Sequence, residues 1–127
     1  MTPSTGRRVL VADDNPDQRA LYVDILTHAG YEVLQARDGA EAIARARDDR
    51  PGLILMDVTM PGTSGWNAVR ALRDQAETRD IPIIVITGLS GTGDRDASFA
   101  AGSDAYLSKP VSPRRLLEEV RRFLVVP

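Results

Sequence analysis

Four apolar runs of the sequence are each followed by, or end in, polar residues whose side chains could form one reactive site. Asp13 and Asp14 follow the first run, Asp57 follows another, and Thr87 and Lys109 end two more. If these runs are parallel strands of one open α/β sheet, their carboxyl ends border the crevice where such sheets bind ligands. We therefore expect three carboxylates, a hydroxyl and an ammonium at one site.

The three aspartates predict a cation site. Two like charges 4 Å apart repel by about 1 kcal/mol in water and by about 4 kcal/mol at an effective dielectric constant of 20. A cation must offset this repulsion, or one carboxyl pKa must rise. Oxygen ligands without cysteine favour a partly hydrated Mg²⁺. The alternative, that Asp13 and Asp14 only cap the next helix, leaves Asp57 unexplained directly after the apolar residues 53–56.

Lys109 is the only lysine among the sixteen basic residues of the chain. Its compact ammonium, at a strand end beside carboxylates, is suited to holding a phosphoryl oxygen or neutralising the site. We interpret Lys109 as part of the site and not as an ordinary surface lysine.

The elements that must position these residues alternate along the chain. Short apolar runs predict strands over residues 8–12, 32–36, 53–56, 81–86 and 105–107. Amphipathic segments predict helices near 17–29, 39–48, 65–77, 94–101 and 113–124. This alternation is typical of a (βα)5 doubly wound parallel sheet with right-handed crossovers.

Spacing also predicts some packing details. Leu21, Ile25 and Ala29 recur every four residues, which predicts that they form the core face of the first helix. Trp66 and Phe99 are expected to pack against the core and not to contact a ligand.

Composition narrows the function classes. A chain of 127 residues has room for one domain, here spanning 1–127 with its core between about 7 and 124. Sixteen basic and eighteen acidic residues give a net charge of −2, which argues against nucleic acid and membrane surfaces as partners. Zero cysteines exclude disulfides and thiolate chemistry. No signal peptide or membrane span is evident, so we expect a cytoplasmic protein.

One set of motifs resembles a known family. Asp13 and Asp14, Asp57 followed by the residues Met-Pro-Gly at 60–62, Thr87 with a following glycine, Tyr106, and a lysine–proline pair at 109–110 occur in that order. The set looks like the receiver domain of two-component response regulators, over about residues 7–124. The resemblance implies the flavodoxin-like strand order 2-1-3-4-5.

The resemblance also implies roles for the site residues. Asp57 would accept a phosphoryl group from a phosphohistidine on a sensor histidine kinase or histidine phosphotransfer protein. Asp14 and Asp57 would bind Mg²⁺ directly and Asp13 through water, and the carbonyl of Thr59 would add a ligand. The domain would catalyse its own phosphorylation and dephosphorylation without being an enzyme acting on a separate substrate.

By the same resemblance, Thr87 would move onto the phosphoryl group and Tyr106 would turn inward. Together they would switch an output surface formed by the fourth helix, fifth strand and fifth helix. Arg19, Tyr22 and Pro110 are candidate docking positions for the kinase.

Other interpretations remain open at this point. The native-looking start favours a stand-alone regulator, and the alternative is a receiver cut from a hybrid kinase or a multidomain regulator. An aspartate-nucleophile phosphatase would resemble this site, but it requires a second aspartate where Thr59 stands. Dinucleotide binding lacks its glycine-rich loop. A degenerate receiver would lack one of the acidic or lysine residues that are present here.

Overall fold

The structure is a computed structural model, and it describes residues 7–57, 65–88 and 92–124. Strands and helices alternate through this part of the chain. In order they are β1 (Arg8–Ala12), α1 (Pro16–His28), β2 (Glu32–Ala36), α2 (Gly39–Asp49), β3 (Leu53–Asp57), α3 (Gly65–Asp74), β4 (Ile83–Thr87), α4 (Thr92–Ala101), β5 (Ala105–Ser108) and α5 (Pro113–Phe123).

The five strands form one parallel sheet in the order β2-β1-β3-β4-β5, which confirms the predicted fold class. The order reverses between β1 and β3, because the chain first adds β2 on one side and then β3, β4 and β5 on the other. Ala12 pairs with Met56, and Asp57 pairs with Ile86, so the carboxyl ends of β1, β3 and β4 lie at one edge of the sheet. This edge holds the candidate site.

Helices cover both faces of the sheet. α2 and α3 bury small and branched side chains against one face, where the core includes Ala46 and Leu72. α1 and α5 cover the other face, where Leu26 and Leu116 are fully buried. β1, β3 and β4 are apolar except for one terminal residue each, Arg8, Asp57 and Thr87, because their alternate side chains enter the two cores in turn.

Two packing predictions were wrong. Leu21 is 54% exposed, and Tyr22 and Leu26 form the buried face of α1 in its place. Residues 21 and 22 lie about 100° apart on a helix, so only one of the two side chains can face the sheet. Ile25 and Ala29 are partly buried and pack against the core, as expected. Phe99 on α4 is 44% exposed, whereas Trp66 packs against the core as expected.

Helix α3 ends at Asp74, three residues before the predicted end at 77. The side chain of Thr78 explains the early stop, because its hydroxyl donates to the carbonyl of Leu72 at 2.6 Å and the backbone then turns. Three strands, β3, β4 and β5, each end one residue later than predicted, at Asp57, Thr87 and Ser108, and β4 begins at Ile83 instead of residue 81. Asp57 is therefore held by the sheet itself.

In the part of the chain that the structure describes, no helix has the length and hydrophobicity needed to cross a bilayer.

The guanidinium of Arg73 joins the end of α3 to the turns before β4 and β5. It donates to the carbonyls of Arg79, Ile81 and Gly102 and pairs with Asp104 at 2.6 Å. Gly102 has a φ of +118°, and a Cβ at this position would lie 2.6 Å from Cγ of Arg73. Glycine is required here by backbone conformation and by space.

We expect Gly102→Ala to lower the free energy of unfolding by about 2 kcal/mol, the cost of a strained backbone at a positive φ. Urea unfolding measures it. Gly88→Ala is the matched control, because its Cβ would come no closer than 3.9 Å to Cδ of Lys109. Equal losses in the two variants would contradict the role assigned to Gly102.

Candidate functional site

Three carboxylates meet at the carboxyl edge of the sheet. Asp13, Asp14 and Asp57 each offer an oxygen within 4.8 Å of the others. Asp13 and Asp57 are buried, at 0% and 4% exposure, while Asp14 is exposed. The predicted acidic cluster is therefore present, with two members out of water and one facing it.

Backbone contacts fix the position of Asp13. Its amide donates to the carbonyl of Ala36, which continues the pairing of β1 with β2 by one residue. Its Oδ1 accepts from the amide of Asn15 at 2.9 Å, and the side chain of Asn15 in turn caps α1. The turn from β1 into α1 thus directs the carboxylate toward β3.

Burial raises the pKa of Asp13 from 3.8 to about 6. The amide of Asn15 opposes this rise, and the neighbouring charge of Asp57 adds to it. The second oxygen, Oδ2, is buried and makes no hydrogen bond. A buried carboxylate oxygen without a donor is costly, so this group is suited to an added cation.

Lys109 supplies the positive charge that the structure places at the cluster. Its Nζ lies 2.9 Å from Oδ2 of Asp57, and its amide donates to the carbonyl of Thr87 at 2.8 Å. The end of β5 is thereby held against the end of β4. The predicted pairing of this lysine with the acidic site is present.

Thr87 and Tyr106 lie on β4 and β5, respectively. Thr87 is the last residue of β4 and is fully buried, one strand away from Asp57. Tyr106 is half-buried on β5 and packs against the core that α2 and α3 cover. Thr87 lies at the carboxyl edge with the aspartates, whereas Tyr106 lies two residues before the end of its strand.

The donors at the cluster fit Mg²⁺. All are oxygens, one is buried without a hydrogen-bond donor, and the exposed Asp14 leaves access for water. Hard cations such as Mg²⁺ bind one or two carboxylates and keep several waters. Thr59, the other predicted ligand, lies outside the described residues.

The three predicted docking residues differ in accessibility. Pro110 is exposed, and its peptide bond with Lys109 is cis. Arg19 is half-buried, and its guanidinium donates to the carbonyl of Asp13 at 2.7 Å and to Gln35 at 3.1 Å. Tyr22 is only 4% exposed and lines the same small cavity as Asp57, so its burial contradicts a role in docking.

Burial and the nearby charges of Asp13 and Asp57 raise the pKa of Tyr22 to about 12. The tyrosine is therefore a neutral side chain beneath the acidic cluster. Together with Val11, Leu55 and other apolar residues, it lines the cavity next to Asp57.

Sequence reasoning missed Gln18. This half-buried residue lies in the first turns of α1, and its Oε1 accepts from Nζ of Lys109 at 2.7 Å. Because 91 residues separate the two along the chain, no local spacing could have indicated the contact.

Comparison with known proteins agrees with this geometry. Residues 9–121 match the family model of the response regulator receiver domain. The chain belongs to this family. The receiver domain is 37% identical over 118 residues to the polar-differentiation response regulator DivK of Brucella anthropi, covering 93% of this chain and 96% of the relative. It is a receiver domain of two-component signalling.

Solved structures of related proteins share the fold. The chemotaxis protein CheY4 of Vibrio cholerae superposes with a TM-score of 0.87 at 36% identity, covering 92% of this chain and 98% of the other. The receiver domain of the sensor histidine kinase PA1611 from Pseudomonas aeruginosa superposes with a TM-score of 0.85 at 34% identity, covering 93% and 97%. That structure has a magnesium ion coordinated in its active-site cleft.

The raised pKa of Asp13 predicts a pH-dependent stability. Between about pH 4 and 6 the unfolded chain has lost this proton and the folded chain retains it, so stability falls as pH rises. In metal-free buffer, we expect wild type to lose about 2 kcal/mol of unfolding free energy relative to Asp13→Asn as pH rises from about 4 to about 7. Urea unfolding with a chelator at several pH values measures it, and parallel curves for the two proteins would contradict it.

Proposed function

We propose that Asp57 is the phosphoryl acceptor of this receiver domain, in a Mg²⁺-dependent reaction. The observation that carries the proposal is the contact of Asp57 with Lys109 at 2.9 Å inside a cluster of three carboxylates. Asp57 is buried yet lies at the ligand-binding edge of the sheet, where one carboxylate oxygen can react while the other is held.

The reaction is a displacement at phosphorus. An oxygen of the Asp57 carboxylate forms a new P–O bond, and the bond between phosphorus and the donor breaks with its electron pair going to the leaving group. With a phosphohistidine donor, the leaving imidazole takes up a proton. With acetyl phosphate, acetate leaves. Asp57 becomes an acyl phosphate, which water can later hydrolyse.

The charges around Asp57 determine how it can react. Asp13, Asp14 and Asp57 would hold Mg²⁺, which neutralises negative charge on the phosphoryl oxygens when it is bound. The Lys109 ammonium stabilises the same charge from the side of β5. The chain acts on its own residue, so each molecule takes up one phosphoryl group instead of turning over a separate substrate.

We expect wild type to gain one phosphoryl mass with acetyl phosphate and Mg²⁺, and Asp57→Asn to gain none, because the amide is not a nucleophile. Intact mass spectrometry measures both. Asp38→Asn is the matched control, since Asp38 follows β2 at the same sheet edge and caps α2 through an oxygen that asparagine retains.

Two results would contradict the assignment of Asp57. One is a phosphoryl group that remains in Asp57→Asn and disappears in another aspartate variant. The other is repeated donor hydrolysis without accumulation of phosphoprotein, which would support the phosphatase alternative. Addition of a chelator to wild type should abolish the mass gain.

We also propose that Thr87 and Tyr106 transmit phosphorylation of Asp57 to the output surface. The hydroxyl of Thr87 moves toward the new phosphoryl group, and the half-buried ring of Tyr106 on β5 turns inward. Phosphorylation switches act in this way when a local charge biases a packing element that has two states. The output partner binds the surface of α4, β5 and α5.

We expect Thr87→Ala to be phosphorylated at Asp57, but with a conformational change that is limited to residues at the carboxyl edge of the sheet. In wild type, backbone amide NMR shifts should change along β5, α4 and α5 on phosphorylation. Thr87→Ser is the matched control, because it keeps the hydroxyl and should keep the response. Equal shift changes at α4 and β5 in wild type and Thr87→Ala would contradict this role.

A sensor histidine kinase or phosphotransfer protein docks beside the site in this proposal. Arg19 and Pro110 remain the docking residues, and the exposed Leu21 takes the place of the buried Tyr22 on α1. Leu21 offers an exposed apolar contact on α1, and the guanidinium of Arg19, which is anchored to the carbonyl of Asp13, offers a fixed charge.

A further inference from the structure

We propose that Gln18 is a positioning residue for phosphoryl transfer, and that its amide oxygen holds the Lys109 ammonium at the phosphoacceptor. The inference deepens the proposed function and rests on it. It concerns the contact between α1 and the end of β5, where Oε1 of Gln18 lies 2.7 Å from Nζ of Lys109.

The lysine side chain needs such a contact because its four-carbon stem is flexible. Its backbone amide is fixed by the carbonyl of Thr87 at 2.8 Å. At the other end, Nζ donates to Asp57 at 2.9 Å and to Gln18 at 2.7 Å. The ammonium has three N–H donors, so these two contacts orient the whole group.

The two acceptors of Lys109 differ in what phosphorylation does to them. Asp57 loses its unmodified carboxylate when it becomes an acyl phosphate, and Lys109 must then turn to a phosphoryl oxygen. Gln18 is unchanged by the reaction. Gln18 keeps Nζ of Lys109 at the site while the carboxylate of Asp57 is converted to an acyl phosphate. The lysine side chain therefore stays ordered during the reaction.

The chemistry of glutamine suits this place. Its neutral amide accepts from an ammonium without adding a fourth negative charge to the three carboxylates. A carboxylate at residue 18 would also hold Lys109, but it would compete for the positive charge that the phosphoryl group needs.

The single lysine of the chain makes the contact directly measurable. Protein labelled with ¹³C,¹⁵N-lysine gives one set of side-chain NMR signals, all from Lys109. In Gln18→Met, which keeps the length of the side chain but lacks the acceptor, we expect lower order parameters at Cε. Gln18→Glu, which retains an acceptor oxygen, should keep Cε ordered.

The kinetic expectation concerns the same variants with acetyl phosphate at saturating Mg²⁺. The phosphorylation rate constant of Gln18→Met should fall about tenfold, the effect of one charge-assisted hydrogen bond on a barrier. Its Mg²⁺ affinity, measured by titration, should stay within about twofold of wild type, because Lys109 and not the cation loses its contact.

Gln35→Met is the matched control, since Gln35 also accepts from a basic side chain of this region, Arg19, at 3.1 Å. It should change neither the Lys109 signals nor the rate with acetyl phosphate. Gln18→Ala provides a second variant should Gln18→Met fail to fold, with far-UV circular dichroism as the check.

An unchanged Lys109 signal in both Gln18→Met and Gln18→Ala would overturn the inference, as would an equal rate loss in Gln35→Met. Loss of order in Gln18→Glu would overturn the role of the acceptor oxygen. If wild type takes up no phosphoryl group at all, the proposed function fails, while the NMR comparison of unphosphorylated proteins still decides whether Gln18 orders Lys109.

Discussion

Carboxylates held close together and away from water need positive charge, and the arrangement of this receiver domain follows from that need. Asp13 and Asp57 are buried side by side at the edge of the sheet. The raised pKa of Asp13 and its unpaired oxygen show that the protein's own groups leave the charge only partly compensated. This residual negative charge suits the site to a hard cation with oxygen ligands.

In the part of the chain that the structure describes, the ends of neighbouring strands position the positive charge of Lys109 and the carboxylate of Asp57. Asp57 is the last residue of a buried strand, and Lys109 is anchored to the neighbouring strand through Thr87. Parallel pairing fixes the relative height of these ends, because a register shift of one residue would move each side chain into the opposite core and disrupt the packing on both faces of the sheet. The core therefore specifies the distances at the site as well as the stability of the domain.

Several properties of the site were predictable because they are local. An aspartate after an apolar strand is unusual, and the βα repeat brings such strand ends to one edge. The packing of α1 was not predictable in the same way. Leu21 and Tyr22 are adjacent in sequence and both are apolar enough to pack, so the pattern could not show which of them faces the sheet. The structure shows that Tyr22 is buried and Leu21 is exposed, so the proposed docking position on α1 moves from Tyr22 to Leu21.

The order of the elements, the parallel sheet and the charged residues at the strand ends could be predicted from the amino-acid sequence, because the hydrophobic pattern of short segments defines the strands and where they end. The contacts between side chains follow from the three-dimensional packing. The amide of Asp13 donates to the carbonyl of Ala36 at the end of β2. The ammonium of Lys109 donates to Gln18 on α1, which is 91 residues away along the chain. Such contacts depend on how helices lie on the sheet, and that is set by the packing of the whole core and not by any one segment.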